Sequence, residues 1–201
     1  MKNLLKFIVL TIIIVSVFLI VNTLKLDSKQ VASDKLNTVQ FSNDIFQNLS
    51  NAIKYETISY SEDAIPDSTA FLGFHRFLRK TFPLIHSKLS LEKINNYSLL
   101  YTWQGSDLSK KPIIFMSHQD VVPIDEPTIG DWEAGPFEGK ITKTDIIGRG
   151  TLDDKSTLIG LLEATEKLLE ESFQPSRTIY FAFGHDEEVG GSNGALAIAT
   201  H

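Results

Sequence analysis

PIIFMSHQD, residues 112–120, decides how this chain is read. Ile113–Met116 is a short, continuous apolar run behind a proline, the pattern of a strand buried on both faces in the middle of a sheet. The run ends abruptly in Ser117, His118, Gln119 and Asp120, so chemistry begins where the strand stops. A second apolar run, Arg177–Phe183, ends the same way in Gly184-His185-Asp186-Glu187-Glu188. Between them, Asp154–Glu170 has helical periodicity, with Leu158, Leu161, Leu162, Thr165, Leu168 and Leu169 on one stripe and an aspartate placed to cap its start. Strands alternating with helices predict an α/β sheet covered by helices on both faces.

Working outward, Lys88–Ile94 and Ser98–Trp103 read as a hairpin with its turn at Asn95-Asn96, and Ile141–Ile147 as a short strand pair. Ser68–Thr81 reads as a helix with Phe71, Phe74, Phe77 and Leu78 on one face, ended by Pro83. Leu36, Val39, Phe46, Leu49 and Ile53 recur at helical spacing and predict a helix over Ser33–Ile53.

Phe7–Leu24 carries no charge. As a helix these residues would extend about 27 Å at ~1.5 Å per residue, near the minimum for a bilayer. Asn22-Thr23-Leu24-Lys25-Leu26, just after the run, offers no small-x-small cleavage site, which favours an uncleaved signal anchor over a removed leader. Lys2 and Lys6 hold the N-terminus in the cytoplasm, leaving the rest outside it as a single-pass membrane protein. The expected organisation is a cytoplasmic N-terminus over 1–6, a transmembrane anchor over 7–24, a linker over 25–32 and one α/β domain over 33–201.

Composition excludes several classes. The 201 residues have a formal net charge of −6, against the basic face that nucleic-acid binding needs. There is no cysteine, hence no disulfide scaffold, thiol nucleophile or Cys-ligated zinc. No G-x-S-x-G marks a serine hydrolase.

Three clusters remain: His118-Gln119-Asp120, Gly148–Lys155 with Asp153 and Asp154, and His185–Glu188. Singly, each has a plain structural reading: a strand-end pair, helix caps and a solvated turn. In an α/β sheet, however, all three fall at the crevice beyond the strands' carboxyl ends. Converging carboxylates and imidazoles repel unless a cation sits between them, and a donor set without cysteine suits zinc, or less selectively manganese or cobalt. Asp120 can reach the ring N–H of His118, and Asp153 stands where a carboxylate can bridge two metals. Glu187 and Glu188, in extended backbone, point opposite ways, so one can bind metal while the other serves as general base.

The segments SHQDVVP (117–123), WEAGPFEGKI (132–141), GRGTLDDK (148–155) and GHDEEVGG (184–191) resemble those of the M20 family of zinc metallopeptidases. With YSLLYTWQGSD (97–107) and the N-terminal anchor, the similarity is to the subgroup of carboxypeptidase S and the N-fatty-acyl-amino acid synthase/hydrolases. The resemblance implies a three-layer α/β zinc-peptidase domain with two Zn2+ ions in the intact enzyme. It implies that His118 binds one zinc, Asp153 bridges both and Glu188 binds the other, while Asp120 orients His118 and Glu187 is the general base and acid. The implied substrates are peptides or N-acyl amino acids, and the longer form can be a homodimer. Two further family ligands and a lid domain have no counterpart before His201. The expectation is therefore a truncated chain, inactive alone, or else a membrane-anchored binding domain.

Overall fold

The computed structural model describes residues 2–26 and 43–201. The expected linker from residue 27 onward, and the predicted helix from Ser33 to Ser42 with Leu36 and Val39, lie outside the described residues. The chain divides into two units, 1–40 and 41–201. In the first, helix α1 (Lys2–Leu24) is 23 residues long and holds an 18-residue window with a mean hydropathy of 3.0, long and apolar enough to cross a membrane by length and composition.

In the second unit, helices α2 (Asn43–Ile53), α3 (Ser68–Thr81) and α4 (Pro83–Lys88) precede strands β1 (Ser90–Ile94), β2 (Ser98–Trp103) and β3 (Ile113–His118). The small ladder of β4 (Lys140–Ile141) and β5 (Ile146–Ile147), helix α5 (Lys155–Glu170), strand β6 (Ile179–Gly184) and helix α6 (Ala195–Thr200) follow. The main sheet runs β1-β2-β6-β3. β1–β2 and β2–β6 are antiparallel, whereas β3 and β6 are parallel, with His118 opposite Gly184. That one parallel pair brings two strand C-termini to the same end of the sheet.

Alternation along the strands divides the core. Leu99, Tyr101, Trp103, Phe181 and Phe183 face a layer of helices that contributes Ala52, Phe74, Leu78, Ile85, Leu158, Ile159 and Leu162. Leu100 and Ala182 face the other way, against Ala197 and Ile198 of α6. Helices thus cover both faces, unequally. The Asn95-Asn96 turn forms as expected, with both residues at positive φ (49° and 70°), a conformation asparagine tolerates better than most residues.

Several expectations need correction. Ile113–Met116 is not a buried central strand. β6 pairs with one flank of β3, no described strand pairs with the other, and Ile114 and Met116 are 52% and 60% exposed. An unbroken apolar run marks side chains suited to burial and does not say whether a neighbour covers them. Pro83 ends α3 but also opens α4, because its fixed φ and missing N–H suit a helix's first turn; the hairpin therefore begins at Ser90 and not Lys88. Phe46 lies on the outer side of α2, 45% exposed, while Leu49 and Ala52 pack inward.

Burial also leaves a titration signature. Desolvation lowers His75 and His86 to pKa values of about 4 and pulls His185 down as well. A folded pKa below the unfolded one means that the unfolded chain binds more protons between the two values, so stability is lost as pH falls. Below roughly pH 6, His118, whose folded pKa is raised, is charged in both states and adds no slope. The urea midpoint is expected to fall steadily between about pH 6 and 4.5. A flat midpoint over that window would show that these imidazoles are not buried neutral.

Candidate metal centre

The end of β3 supplies His118, 6% exposed, and the chain continues into the fully buried Gln119 and Asp120. The end of β6 runs through Gly184-His185-Asp186 into a 3-10 turn, Glu187–Val189, closed by Gly190 at φ 113°. The third arm is the loop before α5. There Gly150 takes φ 87°, and a Cβ on it would come within 2.6 Å of Val121, so the GRG segment needs glycine to pass this close. The loop delivers Asp153 and Asp154, joined by a cis peptide, between the two strand ends.

His118 Nε2 lies 2.9 Å from Asp153 Oδ1 and 3.8 Å from Glu187 Oε2. His118, Asp153 and Glu188 each offer a ligand atom within 4.8 Å of the others, a spacing that fits one cation between them. Asp153 remains largely exposed, so the cluster opens to solvent. Burial disfavours a charged His118 ring, but hydrogen bonds to Asp120 and Asp153 outweigh it and raise the ring to about 9. Burial and then the Asp153 charge push the Glu188 carboxyl up.

Asp120 stands behind this cluster. His118 Nδ1 is 3.0 Å from the Asp120 main-chain oxygen and 3.3 Å from its Oδ1. A carbonyl can only accept, so Nδ1 carries the proton and Nε2 is the nitrogen left to face the cluster. The Asp120 carboxylate accepts the backbone N–H groups of Glu187 at Oδ1 and Glu188 at Oδ2, each at 3.1 Å. Burial alone would raise its carboxyl, but hydrogen bonds, those of His118 and Ser59 first, hold it below the usual range.

The structure thus brings His118, Asp120, Asp153, Glu187 and Glu188 together, with two local differences from expectation. Glu187 and Glu188 are in a 3-10 turn and not extended backbone, so their divergence comes from helical rotation of about 120° per residue. Asp154 is at the N-cap position of α5 but makes no cap hydrogen bond; its Oδ2 accepts from Ser117 Oγ at 2.8 Å, tying the loop to β3. His185 and Asp186 turn away. His185 Nδ1 pairs with Ser98 Oγ at 2.6 Å, and Asp186 Oδ2 accepts the Asn193 N–H at 2.7 Å.

Three supporting residues escape sequence reasoning. Gln119 Nε2 donates to the carbonyls of Tyr97 and Phe183, and its Oε1 pairs with His75 Nε2 at 2.8 Å. Ser117 anchors Asp154, as above. Lys155 is completely buried: its ammonium donates to the Ala52 carbonyl in the last turn of α2 and to the Tyr55 carbonyl just past it, and lies 5.1 Å above the Phe74 ring, while desolvation lowers it to about 7. A lysine directly after two aspartates reads as an exposed charge, and only its position at the first turn of an inward-facing helix hints otherwise.

Residues 114–201 match the family described as Peptidase family M20/M25/M40. Similar curated proteins include the probable carboxypeptidase S-like 2 of Dictyostelium discoideum, 44% identical over 98% of this chain and 39% of its own length. Another is the N-fatty-acyl-amino acid synthase/hydrolase PM20D1.1 of Danio rerio, 39% identical over 77% of this chain and 30% of its own. Human carnosine dipeptidase 1 superposes with a TM-score of 0.58 over 79% of this chain and 34% of its own, at 18% identity, a likeness of fold alone. The chain therefore spans 30–39% of the length of these two curated relatives.

Proposed function

This chain belongs to peptidase family M20/M25/M40, and from that premise we propose that it serves a metal-dependent hydrolase cleaving amide bonds of peptides or N-acyl amino acids. The observation that carries the reading is the convergence of His118, Asp153 and Glu188 within 4.8 Å, with Glu187 alongside. One imidazole, two carboxylates and no cysteine fit zinc, with manganese or cobalt as less selective alternatives. His118 would hold one zinc, Glu188 the other, and Asp153 would be shared. When bound, such ions supply Lewis acidity to a water and to the scissile carbonyl.

The chain's own residues do the rest. The Asp120 main-chain oxygen keeps a proton on His118 Nδ1 and turns Nε2 toward Asp153 and the cluster. Glu187, exposed beside the cluster, accepts the proton of the attacking water on its carboxylate and returns it to the leaving amine nitrogen. The substrate class follows the two relatives: a peptide trimmed at its carboxyl end or an N-acyl amino acid. In the intact enzyme, hydrolysis of an N-acyl amino acid that EDTA abolishes and zinc restores is the expected result, and hydrolysis indifferent to chelation would sink the reading.

One observation favours a second reading, a binding domain without turnover. Three candidate ligands converge among the described residues, so two zincs sharing Asp153 would each hold two protein ligands, one fewer than catalytic sites usually keep. Weak zinc retention on dialysis with no hydrolysis would select it.

We further propose that α1 is a single-pass anchor, with Lys2 and Lys6 on the cytoplasmic side and the catalytic unit outside. At ~1.5 Å per residue its 23 residues reach about 35 Å, enough for the hydrocarbon core. Alkaline carbonate is expected to leave the protein in the membrane pellet with its N-terminal residues attached. Release of a shortened soluble form would identify a cleaved leader instead.

A further inference from the structure

The geometry points to the Asp120 side chain as the positioning residue of the Glu187–Glu188 pair, rather than chiefly an orienting partner for His118. The His118 ring already has the better acceptor elsewhere: its Nδ1 is 3.0 Å from the Asp120 main-chain oxygen, against 3.3 Å for carboxylate Oδ1. Any residue at position 120 supplies that carbonyl. What only a carboxylate supplies is two acceptor oxygens for two consecutive backbone donors, and both are used. Oδ1 takes the Glu187 N–H and Oδ2 the Glu188 N–H, each at 3.1 Å.

These amides open a 3-10 turn, where the first N–H groups have no partner within the turn and need an acceptor from outside it. A fully buried carboxylate there also meets the favourable pole of the turn's dipoles. Within the turn, the Val189 and Gly191 N–H groups bond the Asp186 carbonyl and the Gly190 N–H bonds the Glu187 carbonyl, which leaves the Glu187 and Glu188 amides to Asp120. Asp120 therefore sets where both glutamate side chains start, and links their position to the strand end that carries His118. This role deepens the hydrolase reading and rests on it only for turnover; the hydrogen bonds themselves are testable without metal or substrate.

The test compares full-length wild type with Asp120→Asn. Asparagine keeps the volume and the main-chain carbonyl, but one of its two terminal atoms becomes an NH2 group that cannot accept. Amide hydrogen exchange at Glu187 and Glu188 is expected to accelerate about tenfold or more, while the β6 amides of Phe181 and Phe183 keep their protection. Zinc affinity should weaken because the Glu188 ligand loosens with the turn, and kcat at saturating zinc should fall with KM nearly constant, because the base is displaced and the imidazole is not. Unchanged protection at both glutamates would overturn the assignment. So would loss of zinc with that protection intact, since it would return the carboxylate to the imidazole. Should Asp120→Asn unfold, NMR scalar couplings across the hydrogen bonds from the two amide nitrogens to the Asp120 carboxyl carbon decide on wild type: present they support the clamp, and absent they refute it. A wild type without hydrolytic activity would count against the proposed function and leave the exchange result standing.

Discussion

In the intact enzyme, Glu187→Gln is expected to lower turnover of an N-acyl amino acid by about 10²–10⁴-fold, the usual cost of removing a general base. Glutamine keeps the size and the backbone N–H that bonds Asp120 Oδ1, so the turn should hold its shape. What disappears is the proton acceptor beside His118 Nε2. Glu187 lies outside the trio of converging ligand atoms, so zinc content should stay at the wild-type level. Metal analysis and steady-state kinetics on the same preparation check both halves. A wild-type rate would place the base elsewhere, and loss of zinc would make Glu187 a ligand.

Glu188→Gln is expected to have the opposite signature. Its carboxylate is one of the three groups that converge, and an amide oxygen is a poorer donor carrying no charge. Zinc affinity should fall by more than the 10–100-fold typical of losing a supporting partner one shell out, and activity should fall with it. Excess zinc should restore part of the rate here and none in Glu187→Gln. Titration with a zinc chelator reads the affinity directly. Equal metal retention in both variants would mean that the division of labour between adjacent glutamates is wrongly drawn.

Both predictions depend on residues that are recognisable before any fold is known. Strand runs ending in His118 and in the glutamate pair, with an aspartate loop between them, place polar groups at strand ends, and parallel β3 and β6 turn those ends to one side. Hydrophobic periodicity is a local property, which is why β2, β6, α3 and α5 lie close to where the pattern puts them. The chemistry of the donor set is local too, since residue type alone excludes thiolate ligands and admits imidazole and carboxylate.

Other features answer to neighbours distant in sequence. That β3 lies at the edge of the described sheet depends on which strands pair, and Ile113–Met116 carries no record of that. Asp154 looks like a helix cap because capping is the local option, yet Ser117, 37 residues earlier, takes its carboxylate. Lys155 is buried because the carbonyls of Ala52 and Tyr55, about a hundred residues away, accept its ammonium protons. Residue order carries most of the strand and helix pattern, the apolar N-terminal helix and the side chains available for a metal. The tertiary structure alone decided which oxygen of Asp120 meets which donor, because hydrogen-bond partners are chosen by distances of a few tenths of an ångström between chain segments that no local pattern relates.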